Sequence, residues 1–342
     1  ALAAAEVGPG DEVIVPATTF IASATSVLNQ NAVPVFADID PRTHNVTAET
    51  IEACITPRTR AVTVVHFAGH PCDMDPIMAL AEKHDLVVIE DAAQAHGAEY
   101  KGRKAGALGH IAAFSFCAEK IISTGEGGMV TTSDERMAGI ASSFRDHGFD
   151  EEERWRLKKE GAQNLYFHYR MGFNYRLTEM QSAMGLAALR ELEANLAQRR
   201  RNAERLARLL SDMPAITPAY ESPDVKHAYY VYPAQVDAGQ LRVDRDAFVK
   251  AVRAEGIPIG LGNSPENYLE EVFTKMVGYG RTTCPFTCPM YDGRVDYAVV
   301  HCPNAAAYGE RCFRLKVHPT ASAEDMDDTV RAIEKVLRAY AK

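Results

Sequence analysis

Leu86-Val87-Val88-Ile89-Glu90-Asp91-Ala92-Ala93-Gln94-Ala95-His96-Gly97 is the stretch from which the fold is read. An apolar, largely β-branched run ends in two carboxylates and a string of small residues. Such a run, bounded this way, is a buried strand. The surrounding chain repeats the pattern. Candidate strands at 12–15, 33–36, 61–66, 86–90, 112–116 and 128–132 alternate with candidate helices at 22–29, 47–53, 75–84 and 134–144. Alternation of this kind gives βαβ units and a mostly parallel sheet with helices on both faces. Ligands of such sheets bind outside the carboxyl ends of the strands. His66, Asp91 and Ser115 all fall at or just past those ends.

Residues 150–165 are charged, hold the single tryptophan Trp155, and read as an exposed excursion or loop. Leu186, Leu189, Leu192, Leu196 and Leu206 recur at helical spacing across 176–210, which predicts one or two long helices with these leucines in a core or an interface. Thr178 is the expected N-cap ahead of 180–192. A second unit starts near residue 215. Its expected strands are 227–236, 257–261 and 314–317, and its helices are 244–255 and 322–337, capped by Asp244 and Ser322. The expected organisation is therefore a large α/β domain over 1–212 and a smaller α+β domain over 213–342.

The 342 residues carry a formal charge of −9, with 46% hydrophobic and 24% charged residues. This is the balance of a soluble globular protein and disfavours nucleic acid as a partner. The basic cluster Arg199-Arg200-Arg201 lies beside Glu191, Glu193 and Glu204 and reads as a solvated helix face. Seven cysteines, an odd number without a signal peptide, suggest reduced thiols in a cytoplasmic protein. Their spacing does not suit a metal, and no run approaches the ~20 apolar residues of a membrane span. The opening Ala1–Gly10 reads as the last turns of a helix stopped by Gly8-Pro9-Gly10, as though a segment preceded it.

The chemistry centres on Phe114-Ser115-Phe116-Cys117-Ala118-Glu119-Lys120, followed by Thr124-Gly125-Glu126-Gly127-Gly128. A lysine at one strand end and a carboxylate at another suit pyridoxal 5′-phosphate (PLP). The amine holds the aldehyde as a Schiff base, and the acid keeps the pyridine nitrogen protonated so that the ring can accept electrons. Ser115 can meet a phosphate with its hydroxyl, and the glycines permit close backbone approach. For Asp91 alone, a helix N-cap is the competing reading.

Four motifs in register resemble one family. Asp91-x-x-Gln94-x-x-Gly97, Ser115-Phe116-x-x-x-Lys120, Glu126-Gly127-Gly128 and Gly172-Phe173-Asn174-Tyr175-Arg176-Leu177 are similar in order and spacing to those of the DegT/DnrJ/EryC1/StrS aminotransferases. The resemblance runs from Ala1 to at least Leu192 and returns at Val317-His318-Pro319-Thr320. It implies fold type I and a PLP-dependent aminotransferase. The implied reaction takes an amino group from glutamate or glutamine to a keto-sugar, expected to be nucleotide-linked, or to a keto-cyclitol. It also implies residue roles. Lys120 and Asp91 are catalytic, Gln94 meets the ring-hydroxyl side, Ser115 binds the phosphate, and Phe20 stacks on the ring. Asn174 reaches the phosphate of the neighbouring subunit, so a homodimer with interfacial sites is expected.

Two departures from the family stand out. The Gly-Thr/Ser-Ala turn that cradles the phosphate would fall just upstream of Ala1, and Cys117 stands where many relatives carry histidine or another polar residue. His227, His318 and Arg176 are further candidates for substrate contact, against readings as a strand start, a turn and an ion pair. His66 is expected to make a structural hydrogen bond. A dehydratase of the same fold, in which the lysine position is typically histidine, and a non-catalytic PLP-binding regulator are the alternatives. A nicotinamide enzyme would want G-x-G-x-x-G after the first strand, and 13–19 have no glycine.

Overall fold

The computed structural model describes residues 1–163, 167–262 and 266–342. Its centre is a six-stranded sheet in the spatial order Val33–Ala37, Glu12–Pro16, Thr59–Val65, Val87–Asp91, Ile111–Ser115, Gly128–Thr132. The first five strands are parallel, and the last runs antiparallel at the edge. All six expected strands are present. The chain leaves Glu12–Pro16 for the edge strand Val33–Ala37, then returns to Thr59–Val65 on the other side. That reversal opens a crevice at the carboxyl ends of the two central strands, beside the end of Val87–Asp91.

Helices cover both faces. Val13, Val15, Val27, Val33 and Ile111 belong to one buried cluster, while Ile14, Val62, Val64, Ile77 and Val88 belong to the other. Strand alternation sends neighbours such as Val13 and Ile14 to opposite layers, and both layers are apolar. Residues 268–312 contribute Tyr268, Phe273, Tyr297 and Tyr308 to the first of these clusters, against the large sheet.

The smaller sheet is antiparallel, in the order Gly260–Leu261, Cys312–Leu315, Tyr232–Val236, Ile216–Thr217. It shares a third core with the end of Glu179–Leu210, with Arg245–Ala254 and with Ala323–Tyr340. Glu179–Leu210 is one 32-residue helix. Thr178 caps it in a reciprocal box with Gln181, and Asp244 and Ser322 cap their helices as expected.

Three expectations are corrected. Residues 150–165 are not loop throughout: Glu151–Lys159 is a surface helix with no buried residue, and residues 164 and 165 lie outside the described residues. It has no apolar stripe to betray it. Its stability comes from the Asp150 cap, three glutamates in the first turn and basic residues in the last. The strand over 227–236 begins only at Tyr232. Before it, Tyr229 takes a positive φ of 48°, and the Ala228 and Tyr230 amides bond to Gly69 and Ala68 of the large sheet's loops. The strand over 257–261 shrinks to Gly260–Leu261. No helix among the described residues is long and apolar enough to cross a membrane.

Candidate active site

Register brings the expected residues to one rim. Val65 pairs with Asp91, Asp91 with Ala113, and Ser115 lies two residues beyond Ala113 on the same face. One pleat along the strand is about 7 Å and one strand across is about 4.8 Å, so Asp91 and Ser115 are neighbours on a common surface.

The N-cap reading of Asp91 fails, because no helix follows it. Its carboxylate instead turns into the crevice. Oδ2 accepts a 2.6 Å hydrogen bond from the Ser23 hydroxyl, and Oδ1 accepts from the Ala93 amide at 3.1 Å. Ser23 sits in the Ala22–Leu28 helix, just after Phe20, whose carbonyl accepts from the Ser23 amide. The Ser23 contact therefore ties the Phe20 turn to Asp91. Phe20 is 68% exposed, with its ring free to cover a ligand. Gln94 is buried, and its Oε1 accepts from the Ala68 amide at 2.8 Å. That bond fixes the amide so that Nε2 is the group left to donate.

Lys120 lies in a loop closed at its neck. Phe116 N donates to Gly127 O at 2.8 Å and Thr124 N to Phe116 O at 2.9 Å. Gly127 has φ +148°, and a Cβ there would meet Leu177 at 2.8 Å and Thr124 Oγ1 at 2.9 Å, so a side chain would be strained and would have to displace both. Lys120 is half-buried, and its Nζ stands 4.7 Å from the centre of the Tyr230 ring. Ser115 Oγ accepts from the Cys117 amide at 3.3 Å, which leaves its proton for an anion. Cys117 is half-buried.

The deeply buried acid is Glu90 rather than Asp91. Glu90 is 0% exposed and accepts from Leu108 N and Gly109 N on Oε1, and from Gly106 N and His66 Nε2 on Oε2, all at 2.7–2.8 Å. Burial pushes its carboxyl up, and the bonds from His66, Gly109 and Gly106 outweigh that and leave it lowered. His66 thus makes the structural bond expected of it. His96 is also buried, with both ring nitrogens unpartnered and its ring 5.3 Å from Phe114. Burial first, then the Lys120 charge, lowers its pKa to about 4.

The other candidates fare differently. Asn174 is exposed and bridges to Asp146 through the backbone. Arg176 pairs with Asp146 of the same chain, which supports the ion-pair reading. His318 is exposed, its Nδ1 2.7 Å from Thr320 Oγ1. His227 is corrected: it is 1% exposed, stacks on Tyr229 at 3.8 Å and accepts the Tyr229 amide on Nδ1, so no face of it is open to a substrate. Ser23 and Tyr230 were not singled out from the sequence. A serine three residues after an aromatic carries no signal of its own, whereas Tyr230 adjoins the His227-Ala228-Tyr229 run.

Around Asn174 the surface is apolar. Phe173, Tyr175, Met180, Met184, Leu186 and Leu189 are 43–79% exposed. They adjoin an open groove of about 1020 Å³ along the edge strand, lined by Met129, Val130 and Tyr175. Of the five leucines expected in a core or an interface, Leu192, Leu196 and Leu206 are buried, and Leu186 and Leu189 are exposed.

Comparison with known proteins gives the family. The model of the DegT/DnrJ/EryC1/StrS aminotransferase family matches residues 1–334. GDP-perosamine synthase of Caulobacter vibrioides is 45% identical over 75% of this chain and 66% of its own length. UDP-N-acetyl-3-dehydro-alpha-D-glucosamine 3-aminotransferase of Acidithiobacillus ferrooxidans is 36% identical over 98% of this chain and 80% of its own. The solved aminotransferase from Psychrobacter cryohalolentis superposes with a TM-score of 0.86 at 38% identity, covering 99% of this chain and 84% of that one.

Proposed function

The chain belongs to the DegT/DnrJ/EryC1/StrS aminotransferase family, and from that premise we propose that it carries an amino group from glutamate or glutamine to a keto-sugar, nucleotide-linked by preference over a free keto-cyclitol, with PLP as its cofactor. The observation that carries this reading is the pairing of an unneutralised amine with an anchored acid on one sheet rim. Among the described residues Lys120 makes no ion pair, while Asp91 is oriented by Ser23 and Ala93.

The donor set fits PLP. Lys120 would hold it at the aldehyde carbon, Asp91 at the pyridine nitrogen, Gln94 Nε2 beside the ring oxygen, Ser115 Oγ at the phosphate, and Phe20 over the ring. Bound there, PLP supplies an aldehyde with which amines exchange and a ring that accepts electrons from the carbon bearing the exchanged nitrogen. The residues do the rest. Asp91 keeps a proton at the pyridine nitrogen through a charge-assisted bond. The Lys120 amine, once displaced by the donor, takes the proton from the donor's α-carbon and later returns one to the acceptor's carbon. Tyr230 gives that amine an aromatic face to rest against while it is cationic.

We further infer a homodimer in which Asn174 of one protomer completes the phosphate site of its partner. The exposed apolar residues flanking Asn174 support this, being more than an isolated monomer ordinarily leaves to water. The large and small lobes over 1–212 and 213–342, and a cytoplasmic setting, belong to the same proposal.

The test is spectroscopic and chemical. Protein supplied with PLP should show an absorbance band that changes on adding glutamate or glutamine. Borohydride trapping and peptide mapping should place the label on Lys120, and a label on any other lysine rejects the assignment. A panel of nucleotide-linked keto-sugars and free keto-cyclitols then identifies the acceptor.

A further inference from the structure

Tyr230 is held on both sides of its α-carbon. Its amide donates to the Ala68 carbonyl at 2.8 Å, and its carbonyl accepts from Arg199 Nη1 at 3.4 Å. The same Nη1 donates to the Tyr229 carbonyl at 3.2 Å. The left-handed turn at Tyr229, φ 48°, sends the Ala228 and Tyr230 amides to the Gly69 and Ala68 carbonyls, while two successive carbonyls meet the long helix. Ala68 is fixed in turn by Gln94, whose Oε1 accepts its amide. With the backbone fixed before and after Tyr230, the direction in which its side chain leaves is fixed as well. That ring is the one whose centre lies 4.7 Å from Lys120 Nζ.

Arg199, read from the sequence as part of a solvated helix face, is 7% exposed. It stands on the buried side of Glu179–Leu210 and keeps a buried Nε with no partner. Among the described residues it makes no ion pair. A buried cation without a counter-charge is costly, and a methionine would fill the same space without that cost. A methionine offers no donor, however. Reaching from a helix to two carbonyls of a separate segment takes a long side chain ending in N–H groups, and a planar fork loses little freedom in doing so. Asn202, nearly one turn along, donates to the His318 and Ala321 carbonyls, each at 3.1 Å. This side of the helix therefore acts as a clamp on backbone.

We propose that Arg199 is a positioning residue for the Lys120 amine and acts through Tyr230, by holding the 229 and 230 carbonyls so that the Tyr230 ring faces Nζ. The inference rests on the function proposed above and adds to it a residue that meets neither cofactor nor substrate. In that function the displaced amine carries a proton between two carbons, and an amine free to wander transfers it slowly. A ring held on one side limits where the cation rests. Loss of the clamp should slow the transfer and leave donor binding as it was.

The experiment treats the full chain, without PLP, with an amine-acylating reagent at one pH and maps the peptides, with the exposed Lys250 as the reference for Lys120. Y230L and R199M should each label Lys120 about two- to fivefold faster than wild type, the factor that a cation–π contact at a partly open site is worth. Because Arg199 acts through Tyr230, R199M/Y230L should label no faster than Y230L alone. R199K keeps the charge but neither the reach nor the fork, so it should behave as R199M, and it carries the same comparison should R199M not fold. In PLP-loaded R199M the absorbance band should change about tenfold more slowly at saturating donor, with the half-saturating donor concentration moved less than about twofold. Labelling of Lys120 at the wild-type rate in the Arg199 variants or in Y230L overturns the proposal. So does an Arg199 effect that persists in full beside Y230L. A half-saturating concentration that rises in step with the loss of rate also overturns it, in favour of direct donor binding by Arg199. The labelling needs no PLP, so protein that takes up none refutes the function proposed above and not the clamp.

Discussion

Replacing Glu90 by glutamine changes one atom in a fully buried side chain, and the structure says what that atom does. The carboxylate accepts four hydrogen bonds, from three amides of the 106–109 loop and from His66. His66 cannot reverse its role cheaply, because its Nδ1 accepts the Cys72 amide at 3.1 Å and the proton must therefore sit on Nε2. Glutamine can keep its oxygen toward Leu108 and Gly109, but its NH₂ then faces the Gly106 N–H and the His66 N–H, donor against donor. Two charge-assisted bonds are lost at roughly 1.5–3 kcal/mol each, so the cost is about 3–6 kcal/mol. A chain of 342 residues unfolds with an entropy of about 0.7 kcal/mol/K, from roughly 2.1 cal/mol/K per residue.

The midpoint should therefore fall by about 4–8 °C in calorimetry, with a matching loss in urea titration. E49Q, at an exposed carboxylate, is the control and should leave the midpoint unmoved within error. The effect should be local as well as global. Amides of 106–109 should exchange with deuterium faster in E90Q, since that loop is tied to the sheet through this carboxylate. A midpoint drop under 1 °C, with the loop's exchange unchanged, would refute the reasoning, because it would mean that the loop and not the carboxylate organises the site.

His44 and His96 are both buried, and burial lowers each from 6.5 to about 4, helped by the charge of His70 on His44 and of Lys120 on His96. Their folded values lie below the unfolded ones, so the unfolded chain takes up protons first as pH falls. Stability is whole above about 6.5 and declines toward about 4, by roughly 2 kcal/mol per histidine between pH 7 and 5. Denaturant midpoints measured across that range check the slope, and H44Q should flatten it. Gly97→Ala meets φ +75° and places its Cβ 2.4 Å from Leu196 Cδ1, which should cost about 1–3 kcal/mol in a urea titration. If Asn174 serves the partner's site, mixing inactive K120A with inactive N174A and allowing subunit exchange should restore about a quarter of wild-type turnover. One site in each mixed dimer would be whole, and half of the dimers would be mixed. No recovery after confirmed exchange would place Asn174 in its own protomer's site.

How much of this was legible beforehand depends on which force fixes each element. The sheet was legible because its strands are apolar on both sides and end at small residues, a pattern that only burial explains. The caps Thr178, Asp244 and Ser322 were legible because they are local chemistry, settled within one helical turn. The exposed Glu151–Lys159 helix was not, because charge placement rather than periodicity holds it, and polar runs look alike whether wound or loose. The strand expected over 227–236 was overextended because its alternation is real while two of its first five residues, Ala228 and Tyr230, are held by backbone bonds to Gly69 and Ala68, more than 150 positions away in the sequence.

Glu90 and Asp91 show the limit within the site itself. Two adjacent carboxylates at a strand end must point to opposite faces, and a strand covered on both sides offers no cue to which face is sealed. The structure assigns the sealed face to Glu90, where four donors satisfy its charge, and the rim to Asp91, where two donors orient it. That division is functional. An acid satisfied on every lone pair can only hold a loop, whereas one satisfied on part of its lone pairs can still grip a ligand. The same distinction separates Arg176, spent on Asp146, from Arg199, whose buried Nε has no partner. Residue type put only Asp91 and Arg176 in contention and read Arg199 as a solvated face, whereas the bonding capacity left unfilled after folding separates Asp91 and Arg199 from Glu90 and Arg176.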